Sequence, residues 1–534
     1  MQLRHTRVWG GGLVLAGAVA AAFAGCSGGS SGGGSAASTS APVGSSPSAT
    51  TTTGPSTTSG AEVTSLVVPA GLLQGSVPIA FRVADAASAS VPVEVVFSTD
   101  NGQTWKPASG APTQPLATGP APGIEHSFVW DTVRDVPGFE PAVLLEVRPQ
   151  PGRELQSPAL PVDNQPVSAH VKLDRAPYLQ STTQTQTVIR WRTETAVDGV
   201  VEFGETPALG RVAAPASGAA SQEHEVLLTG LTPGTRYSYR LVSGGLPITP
   251  RYELRTAPAS GVRDFSFLVV GDSGMNNQVQ YDIAARMDQE DADFFLHTGD
   301  VVYPIGGLGA AVQEYNLRFF KPYEKLLRRM PAWLVVGNHD LYGLYGQPFK
   351  DTFTLPPNGG GSLLEELYYS FEWGDAKFVA IEANSTFQFV QVGAHMDWLR
   401  RELAQNTKKW LIVFFHPPLY SAGQHGDNHA LQQVLGPLFE SYGVDLVLTG
   451  HDHDYERTKA IKDYNQRAGY PGLVHVVTGG GGADLRPVNP TPRTEVAISA
   501  HHYLRVEISG DWLTGEAVDA QGKVIDRFSV QEHQ

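Results

Sequence analysis

The sequence predicts a multidomain protein in which two β-sandwich domains precede a larger α/β sandwich domain. Three observations predict it. The chain has 534 residues, room for about three or four domains of ~100–200 residues each. Up to about residue 258 its apolar residues come in short alternating runs between Pro, Gly, Asp and Asn turns, the pattern of half-buried antiparallel strands. From Asp264 onward, fully apolar runs alternate with helical patterns, which marks strands covered on both faces.

Composition narrows the class. Hydrophobic residues make up 41% and charged residues 17%, a globular balance that excludes a mainly disordered or coiled-coil chain. Lys and Arg number 38 against 53 Asp and Glu, so a net charge of -15 leaves no broad cationic surface, and no nucleic-acid binding is expected. A single cysteine, Cys26, excludes an intramolecular disulfide; buried cores and metals must supply stability.

The elements follow in order. Residues 1–26 read as an export signal: Arg4 and Arg7, an apolar stretch from Val8 to Phe23, then Ala24, Gly25 and Cys26. The stretch falls short of the ~20 residues of a membrane span, which favours cleavage. Phe23-Ala24-Gly25-Cys26 resembles a bacterial lipoprotein box, which implies lipidation of Cys26 and a tether to a membrane. The expected location is the cell envelope, lipid-anchored, or, with simple cleavage, the secreted fluid. Residues 27–60 are uncharged and rich in Ser, Thr, Gly and Pro, a flexible linker.

Residues 61–166 form the first sandwich, with runs such as Val77–Val83 and Val93–Phe97, and no role can be read from them. Residues 169–258 form the second, with Thr187–Arg192 and Arg236–Leu241 as strands and Leu231-Thr232-Pro233-Gly234 as a turn. Residues 262–534 form the α/β domain. Its buried runs are Phe265–Val270, Phe294–Leu296, Trp333–Val336, Phe378–Ile381, Trp410–Phe415 and Val444–Leu448. Helical spacing predicts helices over Tyr281–Met287, Tyr315–Met330, His395–Leu403 and His429–Tyr442. After His501 alternation returns, in Tyr503–Ile508 and Trp512–Val518, predicting an antiparallel addition to the sheet.

Nearly every buried run of the last domain is followed by residues able to bind a metal: Gly271-Asp272-Ser273-Gly274, Gly299-Asp300-Val301-Val302-Tyr303, Gly337-Asn338-His339-Asp340, Val413-Phe414-Phe415-His416 and Gly450-His451-Asp452-His453. Ligands gather beyond the carboxyl ends of strands in α/β sheets, so these groups converge in one crevice. Two Asp, one Asn, three His and a Tyr, without thiolate, suit two transition-metal ions better than a structural zinc cage, and Asp300 could bridge them. Such a pair clamps the attacking and leaving oxygens of an in-line phosphoryl displacement.

In this order the five blocks resemble the calcineurin-like metallophosphoesterases, and Tyr303 is similar to the tyrosine of the purple acid phosphatases. The resemblance implies a ferric ion on Asp272, Asp300, Tyr303 and His453, and a divalent ion (Fe, Zn or Mn) on Asp300, Asn338, His416 and His451. It also implies that residues 169–258, with Arg175-Ala176-Pro177-Tyr178-Leu179-Gln180 and the Trp191 strand, form the fibronectin-like amino-terminal domain of that family. It assigns His339 to catalysis from outside the metal shell, as the general acid toward the leaving alkoxide. Asp340 stands where glutamate is usual in plant members. The implied function is acid phosphatase-like hydrolysis of phosphomonoesters by a metal-activated hydroxide. A divalent metallophosphodiesterase or nucleotide hydrolase is the alternative enzyme, and a surface-tethered binding module with an inert last domain the alternative class.

Neighbouring polar residues have blander readings. Asp452 reads as a turn or supporting group that fixes an imidazole, and His297 similarly. His425 and His429 read as loop histidines. Gly479–Gly482 lacks the Lys-Ser or Lys-Thr of a phosphate loop and reads as close backbone packing at the site rim. Ser273 lies in no nucleophile elbow and reads as a turn hydroxyl.

Overall fold

The computed structural model describes residues 48–52, 60–303, 311–342, 346–359, 366–384, 393–464 and 469–532. The export signal, Cys26 and most of the linker lie outside the described residues. Among the described residues no helix is long and apolar enough to cross a membrane.

Two antiparallel sheets come first. One orders Ser48–Thr52, Ala61–Pro69, Ser76–Ala84 and Ile124–Asp131; the other is built on Val93–Ser98 and Phe139–Pro149. Alternate residues of each, among them Val63, Phe81, Trp130, Phe97 and Leu145, point into one shared core, as period-two patterning requires. A second pair of sheets follows. Leu173–Gln180, Gln186–Val197 and Ser221–Thr229 face a sheet built on Val200–Gly204 and Arg236–Ser243, with Trp191 buried between them. A buried ion pair, Arg251 to Asp163 at 2.6 Å, links the two sandwiches.

The last two sheets hold the metal-ligating loops. A six-stranded sheet runs Ala332–Leu334, Phe294–His297, Asp264–Val270, His502–Ser509, Trp512–Asp519, Val524–Gln531. Its first three strands are parallel and the last three antiparallel, as the alternation after His501 predicts. A seven-stranded sheet runs Tyr369–Trp373, Ala376–Ala380, Trp410–Phe414, Leu446–Thr449, Val474–Thr478, Tyr455–Thr458, Thr494–Ile498. The sheets meet face to face through aromatic rings, Phe267 and Phe294 each packing edge-on against Phe378 at 5.3 Å. Helices Ala394–Ala404 and His429–Tyr442 cover the outer face of the seven-stranded sheet, and Gln278–Met287 packs on the six-stranded sheet. Strands buried on both faces carry continuous apolar runs for this reason.

Two expectations need correction. The stretch Tyr315–Met330 is not one helix: Val312–Tyr315 leads into a π-turn at Asn316–Phe320, and helix resumes only at Glu324–Leu327. Local hydrogen bonds explain the break. Arg318 is buried and tied to Glu314 at 2.6 Å and to the Met275 carbonyl at 3.0 Å, while the Asn316 side chain accepts from Arg175 at 2.6 Å. The Trp333 strand ends at Leu334, and Val335 and Val336 already belong to the loop that delivers Asn338.

The second sandwich docks on the last domain by buried and partly buried hydrogen bonds. Tyr178 Oη donates to the Thr352 carbonyl at 2.6 Å, Gln180 Nε2 to that of Ala332 at 3.1 Å, Arg190 Nη2 to that of Asp351 at 2.9 Å, and Tyr239 Oη to that of Arg328 at 2.6 Å.

The core also carries neutral imidazoles. Burial pushes His475 down to about 3, and burial chiefly pushes His502 down to about 4. The unfolded chain binds these protons near 6.5, so stability is full above that pH and falls as pH drops toward 3–4. Each group is expected to steepen the loss by about 1.4 kcal/mol per pH unit inside the window. Urea midpoints measured from pH 7 to pH 4 check this; an unchanged slope in His475→Gln would refute it for that residue.

Candidate metal centre

All five blocks lie at the carboxyl ends of parallel strands, where the two sheets bring them together. Asp272 follows the Asp264–Val270 strand, Asp300 follows Phe294–His297, Asn338 and His339 follow Ala332–Leu334, His416 follows Trp410–Phe414, and His451 and His453 follow Leu446–Thr449. The turns are sharp. Asp272, Asp300 and His451 sit at φ of 56°, 52° and 73°, a left-handed backbone that costs a non-glycine residue roughly 1–2 kcal/mol each. Such strain persists only where surrounding bonds over-determine it, and it clusters at functional sites. Two neighbouring glycines make the approach possible: a Cβ on Gly337 would lie 2.0 Å from Asp300 Oδ1, and one on Gly450 2.3 Å from Asp272 Oδ2.

The seven expected ligands converge, with Asp272, Asp300, His416 and His453 buried. Donor atoms of Asp272, Asp300 and His416 lie within 4.8 Å of one another. His416 Nδ1 donates to the Thr298 carbonyl at 2.9 Å, which leaves the Nε2 lone pair facing other lone pairs. These belong to Asn338 Oδ1 at 3.2 Å, Asp300 Oδ2 at 3.4 Å and His451 Nδ1 at 3.2 Å. His453 repeats the device. Its Nδ1 donates to the Asp484 carbonyl at 2.8 Å, turning Nε2 toward Tyr303 Oη at 3.2 Å and Asp272 Oδ1 at 3.6 Å. Tyr303 Oη is also 3.2 Å from Asp272 Oδ1.

A cluster of acceptors aimed at one another requires positive charge, and protons alone distribute it awkwardly. Burial, then the neighbouring Asp300, push the Asp272 carboxyl well above the usual range. Burial opposes charge on His416, yet Asp300 and Asp272 outweigh it and lift the imidazole to about 9. Burial, then Asp272, push the Tyr303 phenol well up. A pair of cations satisfies all these groups in their deprotonated forms, so the donor set fits the two-metal expectation.

Supporting groups hold the ring of donors. Asp340 is buried and accepts from the N–H groups of Gly337 at 2.8 Å, Val301 at 3.1 Å and Val302 at 3.2 Å, fastening two ligand loops together. Burial and then Asp300 push it up to about 7. His339 N–H donates to Asp300 Oδ1 at 2.9 Å, and its half-buried ring rests on Tyr303 with centroids 4.6 Å apart. Asp452 fixes an imidazole, that of His425, whose Nδ1 lies 2.8 Å from Oδ1. His297 is buried, exchanging a hydrogen bond with Ser273 Oγ at 2.8 Å beneath the loops. Gly481 and Ala483 donate to the carbonyls of Gly271 at 3.0 Å and Asp272 at 2.9 Å, so the glycine run packs backbone on backbone behind Asp272.

Sequence reasoning left two features out. His425 is exposed, and its ring stacks on His451 at 4.0 Å. Arg486 lies against both of them. His429 is no loop histidine: it opens the helix expected over His429–Tyr442 and turns its Nδ1 to Gln432 at 3.0 Å. The long separation between Arg486 and the His451 block hid the first two contacts.

The family model of the calcineurin-like phosphoesterases matches residues 265–455, and that of the purple acid phosphatase N-terminal domain matches residues 175–256. Purple acid phosphatase 23 of Arabidopsis thaliana is 28% identical over 290 residues, covering 48% of this chain and 62% of that protein. Purple acid phosphatase 15 of the same plant is 28% identical over 48% of this chain and 53% of its own length. Human acid phosphatase type 7 is 28% identical over 57% of this chain and 75% of its own. The structure of a purple acid phosphatase from yellow lupin seeds superposes with a TM-score of 0.57 at 17% identity, covering 89% of this chain and 96% of that one. This chain thus spans little more than half the length of the first two plant relatives. Residues 265–455 thus match the calcineurin-like phosphoesterases, and the match of the preceding residues to the purple acid phosphatase N-terminal domain makes the chain purple acid phosphatase-like.

Proposed function

We propose that this protein is a dinuclear-metal phosphatase acting on phosphomonoesters. The convergence of seven donor groups from five loops, with lone pairs of His416 and His453 turned inward by backbone carbonyls, carries the proposal. When bound, the metal pair acidifies water to supply the nucleophile and neutralises phosphoryl oxygens.

Asp272, Asp300, Tyr303 and His453 would hold a ferric ion, and Asp300, Asn338, His416 and His451 a divalent iron, zinc or manganese. Thr298 and Asp484 fix the tautomers of two ligand imidazoles, so little reorganisation accompanies loading. His339 is held at its backbone by Asp300 and at its ring by Tyr303. From there its imidazole would orient the phosphoryl group and pass a proton to the departing alkoxide. Residues 61–166 would serve as a spacer, and export with lipidation at Cys26 would tether the chain to the envelope; loss of membrane association in Cys26→Ser checks the tether.

One experiment tests the core of the proposal: visible absorption, metal content and hydrolysis of an aryl phosphate, monoester beside diester. Wild type is expected to show a tyrosinate-to-iron band and to prefer the monoester, and Tyr303→Phe to lose the band. His339→Ala is expected to keep both metals while turnover falls by about 10²–10⁴. Active, metal-replete protein without iron or band would return the divalent phosphodiesterase alternative to first place.

A further inference from the structure

The seam between the second sandwich and the metal-bearing domain holds a cleft of about 450 Å³, lined by none of the five ligand loops. That volume lies within the ~300–1,000 Å³ of small-molecule sites, which gather at domain seams. One wall is the turn Ser181-Thr182-Thr183-Gln184-Thr185-Gln186, between the strands Leu173–Gln180 and Gln186–Val197. Each of its six side chains ends in a hydroxyl or a carboxamide. The metal-bearing domain supplies the rest. Pro356, Pro357, Asn358, Ser370 and Glu372 line the cleft, and the buried rings of Trp333 and Phe371, stacked at 3.8 Å, form its base.

The turn is fixed by its own bonds. Ser181 Oγ donates to the Thr354 carbonyl at 2.8 Å, the hydroxyl oxygens of Thr182 and Thr187 lie 2.6 Å apart, and the Thr183 N–H donates to the Gln186 carbonyl at 2.8 Å. These bonds hold Ser181 at a left-handed φ of 45°, a strain that persists only where its surroundings over-determine it. A wall already rigid loses little entropy when a ligand settles on it.

The groups left unspent decide the ligand. Among the described residues the side chains of Gln184, Thr185 and Gln186 make no hydrogen bond, and both glutamines are half-buried. The base carries one more unspent donor, Trp333 Nε1, buried and without a partner among the described residues. Charge is missing from this inventory. No Lys, Arg or His lines the cleft, and its one carboxylate, Glu372, is held by Lys408 Nζ at 3.0 Å. An anion would find no counter-charge there, and a cation would have to take Glu372 from Lys408. A neutral molecule dense in hydroxyls fits instead. Each of its hydroxyls donates and accepts, as a carboxamide does, and the C–H face of its ring can rest on Pro356 and Pro357.

The geometry points to this cleft as a binding site for a neutral saccharide, separate from the metal centre. The inference stands apart from the phosphatase function proposed above, and its test reads binding rather than turnover.

Calorimetry on the metal-loaded full chain uses three probes at millimolar concentration: maltotriose and tri-N-acetylchitotriose, both neutral, and trigalacturonate, which has sugar hydroxyls and carboxylates together. At least one neutral trisaccharide is expected to bind, and trigalacturonate to bind more weakly. Inorganic phosphate saturating the metal centre is expected to leave the sugar affinity unchanged. The double variant Gln184→Ala, Gln186→Ala alters only side chains of a partly exposed turn that bond to nothing in the fold. Loss of two hydrogen-bonding groups is expected to weaken the sugar by about 10–100-fold while the urea midpoint and aryl phosphate hydrolysis stay at wild-type values. The inference is overturned if neither neutral trisaccharide binds, if trigalacturonate binds as tightly as they do, or if the double variant keeps wild-type affinity. Displacement of the sugar by phosphate would put it in the metal crevice and overturn the inference as well. Wild type that hydrolyses no phosphate ester defeats the phosphatase proposal alone, and the calorimetry still decides the cleft.

Discussion

Asp300→Asn is expected to empty the metal centre and to lower turnover by at least about a thousandfold, well beyond the 10–100-fold cost of disturbing a supporting group. Asp300 is the one carboxylate proposed to serve both ions. Its Oδ2 lies 3.4 Å from His416 Nε2, and its Oδ1 receives the His339 N–H at 2.9 Å. Asparagine keeps the shape of the side chain and tolerates the left-handed backbone at φ 52° better than most residues, so the loop survives. What disappears is charge. Burial then dominates His416, whose elevation to about 9 depends first on Asp300 among the groups that raise it. Metal analysis and turnover on the folded variant decide the matter, and wild-type metal content with wild-type rate would remove Asp300 from the centre.

Phe294→Ala is expected to cost about 3–5 kcal/mol, a large share of the roughly 5–15 kcal/mol that holds a typical domain together. Phe294 is fully buried, and its ring lies 5.1 Å from that of Phe267, 4.8 Å from Trp373, 5.8 Å from Phe371 and 5.3 Å from Phe378. It therefore fastens the six-stranded sheet to the seven-stranded one. The same strand ends in the loop that carries Asp300, so slack between the sheets would also loosen the ligands. A urea midpoint shifted down at constant m-value is the expected signature. A loss below about 1 kcal/mol would mean that the neighbouring rings close the void.

The ligands were legible because strand end and ligand are contiguous or nearly so in each block, with a glycine before the ligand in all but the His416 block. Asp272, Asp300, Asn338, His416 and His451 each follow within a few residues of a buried run, and the rule that sites form beyond the carboxyl ends of strands gathers them. Supporting groups were not legible in the same way. The tautomer of His416 is set by the carbonyl of Thr298 and that of His453 by the carbonyl of Asp484, and a backbone carbonyl leaves no mark in a sequence. Arg486 reaches His425 and His451 only through the fold. Helical periodicity over Tyr315–Met330 was real, since Tyr315, Phe319, Phe320, Tyr323 and Leu327 all reach the core. It could not show that Arg318 and Asn316 would spend their side chains on distant partners and pull the backbone into a π-turn.

The seam between the second sandwich and the metal-ligating sheets sets what can be moved intact. A gene fragment beginning at residue 262 would strand the carbonyls of Thr352, Ala332, Asp351 and Arg328, which take their hydrogen bonds from Tyr178, Gln180, Arg190 and Tyr239. A fragment beginning near residue 169 keeps every one of those donors. Any unit exchanged by recombination or grafting must therefore keep the second sandwich with the metal-bearing half, and a cut near residue 169 still leaves the buried Arg251 without Asp163. Swapping the fibronectin-like half for that of a relative would demand that these side chains and carbonyls, with Ser181 and the Thr354 carbonyl it bonds, be transplanted as a matched set.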